Sequence, residues 1–216
     1  MTPFVGVMAR APSSGGKTRL APHLSPSRLA ALRSALLADA LGTVAAVPDV
    51  TIFFTPDEAE SEMAACAGPA MRLVAQGRGD LGTRMRRALQ RLLDVSPDGA
   101  LLVGTDIPLL TADHLREAEE TLRSNGGVVL GPADDGGYYL IGMREAHAGL
   151  LEGIAWGTAS VLTDTLRAAE RIGVETRLLR SAYDVDTIDD LHRLERDLAT
   201  AAPDVCPAAR RWFSEG

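Results

Sequence analysis

Residues 4–20 read FVGVMARAPSSGGKTRL, and their order decides the fold. Phe4 to Ala9 is an unbroken apolar run with valines at positions 5 and 7, the composition of a strand buried on both faces. The run empties into Arg10-Ala11-Pro12-Ser13-Ser14-Gly15-Gly16-Lys17. There proline and paired glycines end a strand and leave a loop whose backbone can approach a ligand. A buried strand that opens into a glycine-rich, cation-bearing loop is the pattern of an open α/β sheet, where ligands lie beyond the carboxyl ends of parallel strands.

The same alternation continues outward from this segment. Val50–Phe54, Met71–Ala75, Ala100–Val103 and Val128–Leu130 read as further strands. Between them lie helical patterns. Leu29, Leu32, Leu36, Ala40, Val44 and Val47 recur at steps of three and four, with Ser25 or Ser27 placed to cap the segment. Leu81, Met85, Leu89, Leu92 and Leu93 form a second apolar face, with most of the neighbouring arginines on the other faces. This order predicts an α/β domain: a Rossmann-like mixed, mainly parallel sheet flanked by helices.

With 216 residues, 46% of them apolar, the chain suits a single domain over residues 1–216. Its patterned core runs from about 4 to 194, and residues 199–216 form the least patterned segment. Met1 to Ala9 lacks a basic region and a small-residue cleavage site, and no apolar run is long enough for a membrane span. A cytoplasmic protein is the expectation. A net charge of −7 disfavours nucleic acid and anionic membrane as partners. Cys66 and Cys206 are too few for a disulfide framework or a zinc cluster.

Of the 22 basic residues only Lys17 is a lysine. A compact ammonium in a glycine loop acts as a point charge on phosphate, a task that a broad guanidinium does not duplicate. The loop superficially matches a P-loop. That motif requires a helix to start at its lysine, whereas Pro22 and Pro26 fall where the helix would have to run. A P-loop kinase or NTPase is therefore the minor reading.

The other strand ends are equally rich in chemistry. Gln76-Gly77-Arg78-Gly79-Asp80 follows the third strand, Gly104-Thr105-Asp106 the fourth, and Gly131-Pro132-Ala133-Asp134-Asp135-Gly136-Gly137 the fifth. Asp184-Val185-Asp186-Thr187 precedes the last long helical pattern. Magnesium needs a few hard oxygens and keeps several waters, so Asp106, Asp184 and Asp186 form a sufficient candidate set for Mg²⁺ or Mn²⁺. Amides at Gly136 and Gly137 suit an anion, and Thr158 is a helix cap or an acceptor-site hydroxyl. The four histidines are scattered without a partner at ligand or triad spacing.

Ala9-Arg10-Ala11-Pro12, Gly16-Lys17-Thr18-Arg19-Leu20, Gln76 to Gly82, Gly104 to Pro108, Gly131 to Gly142, Trp156-Gly157-Thr158 and Asp184 to Thr187 occur in one order. Together they resemble the small bacterial transferases known as radical-SAM/selenodomain-associated, or arsenosugar-biosynthesis-type, glycosyltransferase-like proteins. These are related to 2-phospho-L-lactate guanylyltransferase and to molybdenum cofactor guanylyltransferases. The resemblance implies the nucleotide-diphospho-sugar transferase (GT-A) fold.

Two chemistries share such a site: nucleotidyl transfer from a nucleoside triphosphate, and glycosyl transfer from a nucleotide-sugar. Pyrophosphate departure in the first demands cations on the first loop, and Lys17 flanked by Arg10 and Arg19 favours it. The expected roles are then specific. Lys17 and Asp106 are catalytic, and Arg10, Gly15, Gly16, Lys17, Arg19, Gln76, Gly77 and Asp80 bind nucleotide. Asp135, Gly136, Gly137 and Thr158 hold a small-molecule acceptor, phosphorylated or hydroxylated, and Asp106, Asp184 and Asp186 hold the metal. A homodimer is compatible with this expectation.

Overall fold

The computed structural model describes residues 3–215. Met1 and Thr2, which precede the first predicted strand, and Gly216, the end of the predicted tail, lie outside them. The strands are β1 (Phe4–Arg10), β2 (Thr51–Thr55), β3 (Arg72–Ala75), β4 (Ala100–Val103), β5 (Val128–Pro132), β6 (Tyr138–Met143) and β7 (Thr176–Leu178). The helices are α1 (Pro26–Val44), α2 (Glu60–Cys66), α3 (Leu81–Leu93), α4 (Ala112–Asn125), α5 (Val161–Arg171), α6 (Ile188–Thr200) and α7 (Pro207–Ser214).

All seven strands join one sheet in the order β3-β2-β1-β4-β6-β5-β7. β6 runs antiparallel to β4 and β5, and every other pairing is parallel. The chain therefore moves from β1 out to β3, then returns to place β4 on the other side of β1. Strand order reverses there, which opens a crevice between the ends of β1 and β4.

The central strands are apolar along their whole length because helices cover both faces of the sheet. Val7, Ile52 and Leu101 face α1 and α4, packing with Leu41 and Leu122. Phe53 and Leu102 face the other way, against Met85, Leu89 and Leu92 of α3. α1 begins at Pro26, whose fixed φ suits a first helical position, and the Ser25 hydroxyl accepts from the Arg28 amide at 3.3 Å. No helix starts at Lys17, and only a single 3₁₀ turn over Thr18–Leu20 follows it. The P-loop reading is thereby excluded.

The segment expected to lie outside the core is part of it. α6 runs to Thr200, and α7 packs with α1 and α6 around Leu32, Leu194, Ala209 and Trp212. Asp39 of α1 is 7% exposed and accepts from the amides of Ala208 and Ala209, so it caps α7 from another helix. The Trp212 indole donates to the Arg28 carbonyl at 3.0 Å, and the Arg28 guanidinium lies 3.9 Å from the ring centre. No helix among the described residues is long and apolar enough to cross a membrane.

Candidate active site

Two adjoining cavities open at the ends of β1, β4 and β5, and they share Thr105, Asp106 and Asp186. The smaller, about 230 Å³, is lined by Arg10, Gly15, Gly16, Lys17 and Arg33. The larger, about 320 Å³, is lined on its polar side by Asp106, Asp135, Gly137, Thr158, Asp184 and Asp186. The cations thus line the smaller cavity and not the larger, while Asp106 and Asp186 line both at their common edge.

Lys17 stands at that edge. Its ammonium lies 2.7 Å from Asp106 and 3.3 Å from Asp186, and it donates to the Val185 carbonyl at 2.8 Å. The side chain is 6% exposed although the loop around it is open. Its backbone is left-handed, with φ 53° and ψ 43°, after Gly15 and Gly16 at φ 90° and 106°. A side chain resists that conformation, so the fold over-determines it here, a pattern that concentrates at functional sites.

Backbone bonds hold the carboxylates in place. The Val185 amide donates to the Asp106 carbonyl at 3.2 Å, which joins the end of β4 to the segment before α6. That segment enters α6 through a reciprocal cap: Thr187 accepts from the Asp190 amide, and the Asp190 carboxylate accepts from the amides of Thr187 and Asp186. Burial, together with the negative charges of Asp135 and Asp186, pushes the Asp184 carboxyl up to about 6. Asp135 accepts from the Gly137 amide at 2.8 Å and fixes the turn into β6. Gly136, at φ 88°, sits where a Cβ would come within 2.2 Å of the Ala159 carbonyl oxygen. The Thr158 hydroxyl donates to Ala155 at 2.8 Å, anchoring the loop that carries Trp156.

Not every expected residue lines these cavities. Gln76 is buried, its amide donating to the carbonyls of Ala9 and Phe53 while its oxygen accepts from Arg84. Expected to meet the nucleotide, its side chain instead brackets β1 and β2, because a buried amide must satisfy its own hydrogen bonds. Asp80 caps α3 by accepting from the Thr83 amide at 2.8 Å, and the amide of Gly77 donates to Asp57. Arg19 is exposed on the turn after Lys17. Gly136 shapes the acceptor-side loop from behind.

Arg33, which sequence reasoning passed over, takes the place expected of Arg19. It reaches from α1 to the carbonyls of Pro12 and Gly16. Only its position one residue beyond Leu32 on the helix hints at this, and a solvated arginine shares that spacing.

Among the described residues no three His, Cys, Asp or Glu side chains form a ready-made metal cage. Asp106 and Asp186 already share one cation, the Lys17 ammonium. Two hard carboxylates of this kind fit a divalent ion whose remaining ligands are phosphate oxygens and water.

Similarity to known proteins follows the same lines. The chain is 31% identical over 179 residues to 2-phospho-L-lactate guanylyltransferase of Methanothermobacter thermautotrophicus, covering 81% of this chain and 76% of that protein. A candidate nucleotide-diphospho-sugar transferase from Desulfovibrio desulfuricans G20 superposes with a TM-score of 0.89 at 29% identity, over 99% of this chain and 96% of that one. The fold is also that of 4-diphosphocytidyl-2C-methyl-D-erythritol synthase from Anaerococcus prevotii, with a TM-score of 0.61 at 14% identity over 91% and 96% of the two chains. A sheet shared with a nucleotide-diphospho-sugar transferase and a profile match across residues 22–158 agree, and the chain belongs to the family described as "Uncharacterized protein conserved in bacteria (DUF2064)".

Proposed function

We propose that this protein moves a nucleoside monophosphate from a nucleoside triphosphate to a small acceptor and releases pyrophosphate, with Mg²⁺ or Mn²⁺ held at Asp106 and Asp186. The division of charge between the two cavities carries this reading. A triphosphate suits the cavity of Arg10, Lys17 and Arg33, and its α-phosphorus then falls at the shared edge. The relative named as a guanylyltransferase supports the reaction class.

Catalysis here is positioning and charge, with no covalent intermediate required. The glycine loop lets backbone approach the β- and γ-phosphates, and Arg10 and Arg33 neutralise them. Lys17 exchanges its carboxylate partners for the leaving pyrophosphate, where a positive charge matters most as the bond breaks. Thr158, the Gly137 amide and Asp135 orient the acceptor, and Asp184 lines the same cavity. When bound, the divalent ion supplies charge neutralisation at the α-phosphate.

Incubation with each nucleoside triphosphate, Mg²⁺ and a panel of acceptors, read by pyrophosphate release, tests this proposal. Chelator should abolish the signal. Similarity to the candidate nucleotide-diphospho-sugar transferase favours a second reading, glycosyl transfer. Calorimetry separates the two: tighter binding of a nucleotide-sugar than of any triphosphate, unaffected by Lys17→Met, selects the glycosyl reaction. The finer kinship with arsenosugar-type, radical-SAM-associated proteins, a cytoplasmic site of action and a homodimer belong to the same proposal.

A further inference from the structure

The acceptor-side cavity has a composition that limits what can enter it. Among the residues lining it there is no lysine, arginine or histidine. Its lining combines the carboxylates of Asp106, Asp135, Asp184 and Asp186 with the apolar side chains of Met8, Leu81, Met85, Trp156 and Val161. Arg10 and Arg33 lie in the neighbouring cavity, and Lys17 stands at the edge the two cavities share, paired to Asp106 and Asp186. A divalent ion shared by Asp106 and Asp186 with the triphosphate offsets those two carboxylates. Asp135 and Asp184 still face the incoming molecule.

The apolar wall is rigid. Trp156 packs against Gly82 at the start of α3, where a Cβ would meet the indole nitrogen at 2.5 Å. Its ring also meets Tyr138 edge-on, with centroids 6.4 Å apart at 78°. A bulky flat surface locked in this way presents a preformed face to an apolar or aromatic group.

We propose that the acceptor is an alcohol without net negative charge, neutral or cationic, that carries an apolar or aromatic body, and not a phosphorylated acid. The inference rests on the nucleotidyl-transfer reading and departs from the acceptor in the name of the guanylyltransferase relative. With Lys17 and the divalent ion at the shared edge engaged by the triphosphate, a phosphorylated acid brings several further negative charges up to Asp135 and Asp184, whereas an uncharged alcohol does not. The hydroxyl oxygen forms a bond to the α-phosphorus, and the bond from that phosphorus to its bridging oxygen breaks. Pyrophosphate leaves with the electron pair. The hydroxyl proton passes to a cleft carboxylate and then to water, so the acidic wall gives a neutral nucleophile the base that a phosphate nucleophile would not need.

The test uses the intact protein, Mg²⁺ and each nucleoside triphosphate, with benzyl glucoside and choline set against 2-phospholactate and 3-phosphoglycerate. Pyrophosphate release should favour the alcohols by about tenfold or more in kcat/KM. Trp156→Ala should lower kcat/KM for benzyl glucoside by about tenfold and leave triphosphate affinity within about twofold, with Trp156→Phe restoring much of the loss. Asp135→Lys should raise use of 3-phosphoglycerate. Equal or faster turnover of the phosphorylated acids, or no binding or turnover of either alcohol while triphosphate binds, overturns the proposal. Absence of triphosphate binding in calorimetry overturns instead the transfer reading beneath it.

Discussion

Replacing Lys17 by methionine keeps most of the side-chain volume and removes only the charge. In the folded protein the ammonium makes three contacts, to Asp106, Asp186 and the Val185 carbonyl. A hydrogen bond to a charged group contributes about 1.5–3 kcal/mol. Asp106 and Asp186 are 60% and 40% exposed, so solvent screening brings each carboxylate contact well below that range, to a few tenths of a kcal/mol, and the bond to the Val185 carbonyl dominates. The left-handed backbone is retained by methionine and changes nothing in the balance. The net loss is about 1–2 kcal/mol of stability, or roughly 2–8 °C in Tm for a domain of this size. Activity should respond far more strongly, because a missing charge on the leaving group costs about 10²–10³-fold in rate. Thermal melts with pyrophosphate-release kinetics measure both quantities on one sample. Lys17→Arg sharpens the test: its planar fork cannot place one nitrogen among three acceptors in this enclosed space, so it should recover little activity. Near wild-type turnover by Lys17→Arg, or a fold loss in Lys17→Met large enough to explain the rate loss, would refute the reasoning.

Asp106→Asn should reduce turnover by about 10²-fold and raise the Mg²⁺ concentration needed for half-maximal rate, because it removes one of two hard oxygens at the shared edge; an unchanged Mg²⁺ requirement would place the ion elsewhere. Gly136→Ala should cost about 3 kcal/mol, since its methyl would overlap the Ala159 carbonyl at a φ of 88°, and should lower acceptor use more than triphosphate binding. A melt within about 2 °C of wild type would contradict it. Trp212→Ala should cost about 3–5 kcal/mol by emptying the space between α1 and α7. The same variant should weaken triphosphate binding by loosening the helix that carries Arg33, and calorimetry with full affinity in a destabilised protein would separate the two effects.

Much of the sheet was legible because its strands announce themselves without reference to partners. Val50–Phe54 and Ala100–Val103 are apolar throughout, and only a doubly covered sheet accommodates such runs. β7 escaped notice: Thr176–Leu178 is three residues long, and Leu178 is 52% exposed, so an edge strand left no apolar signature. α7 was missed for a different reason. Its stability comes from Asp39, far away in the chain, capping its first turn, and no local pattern encodes a cap supplied by another helix. In the site, Lys17, Asp106 and Asp186 stood out by their places after strands or before a cap. Gln76 occupies an equally suggestive place yet spends its amide on two backbone carbonyls, a fate decided by the approach of β1 to β2. Arg33 shows the converse, since an ordinary helix-surface spacing becomes a phosphate-side cation only once the first loop folds back over α1.

The bond from Lys17 to the Val185 carbonyl spans 168 positions of the chain. Contacts of such separation form late, because the entropy of closing so long a loop has to be overcome before they contribute anything. Individual strands and helices can take shape with neighbours close in sequence, but the ammonium finds its three acceptors only after the first and last thirds of the domain have met. Turnover is thus a stricter reporter of the native state than helical content. In refolding from denaturant, the return of activity should trail the return of far-ultraviolet ellipticity, and a partly folded chain with abundant helix should remain catalytically silent.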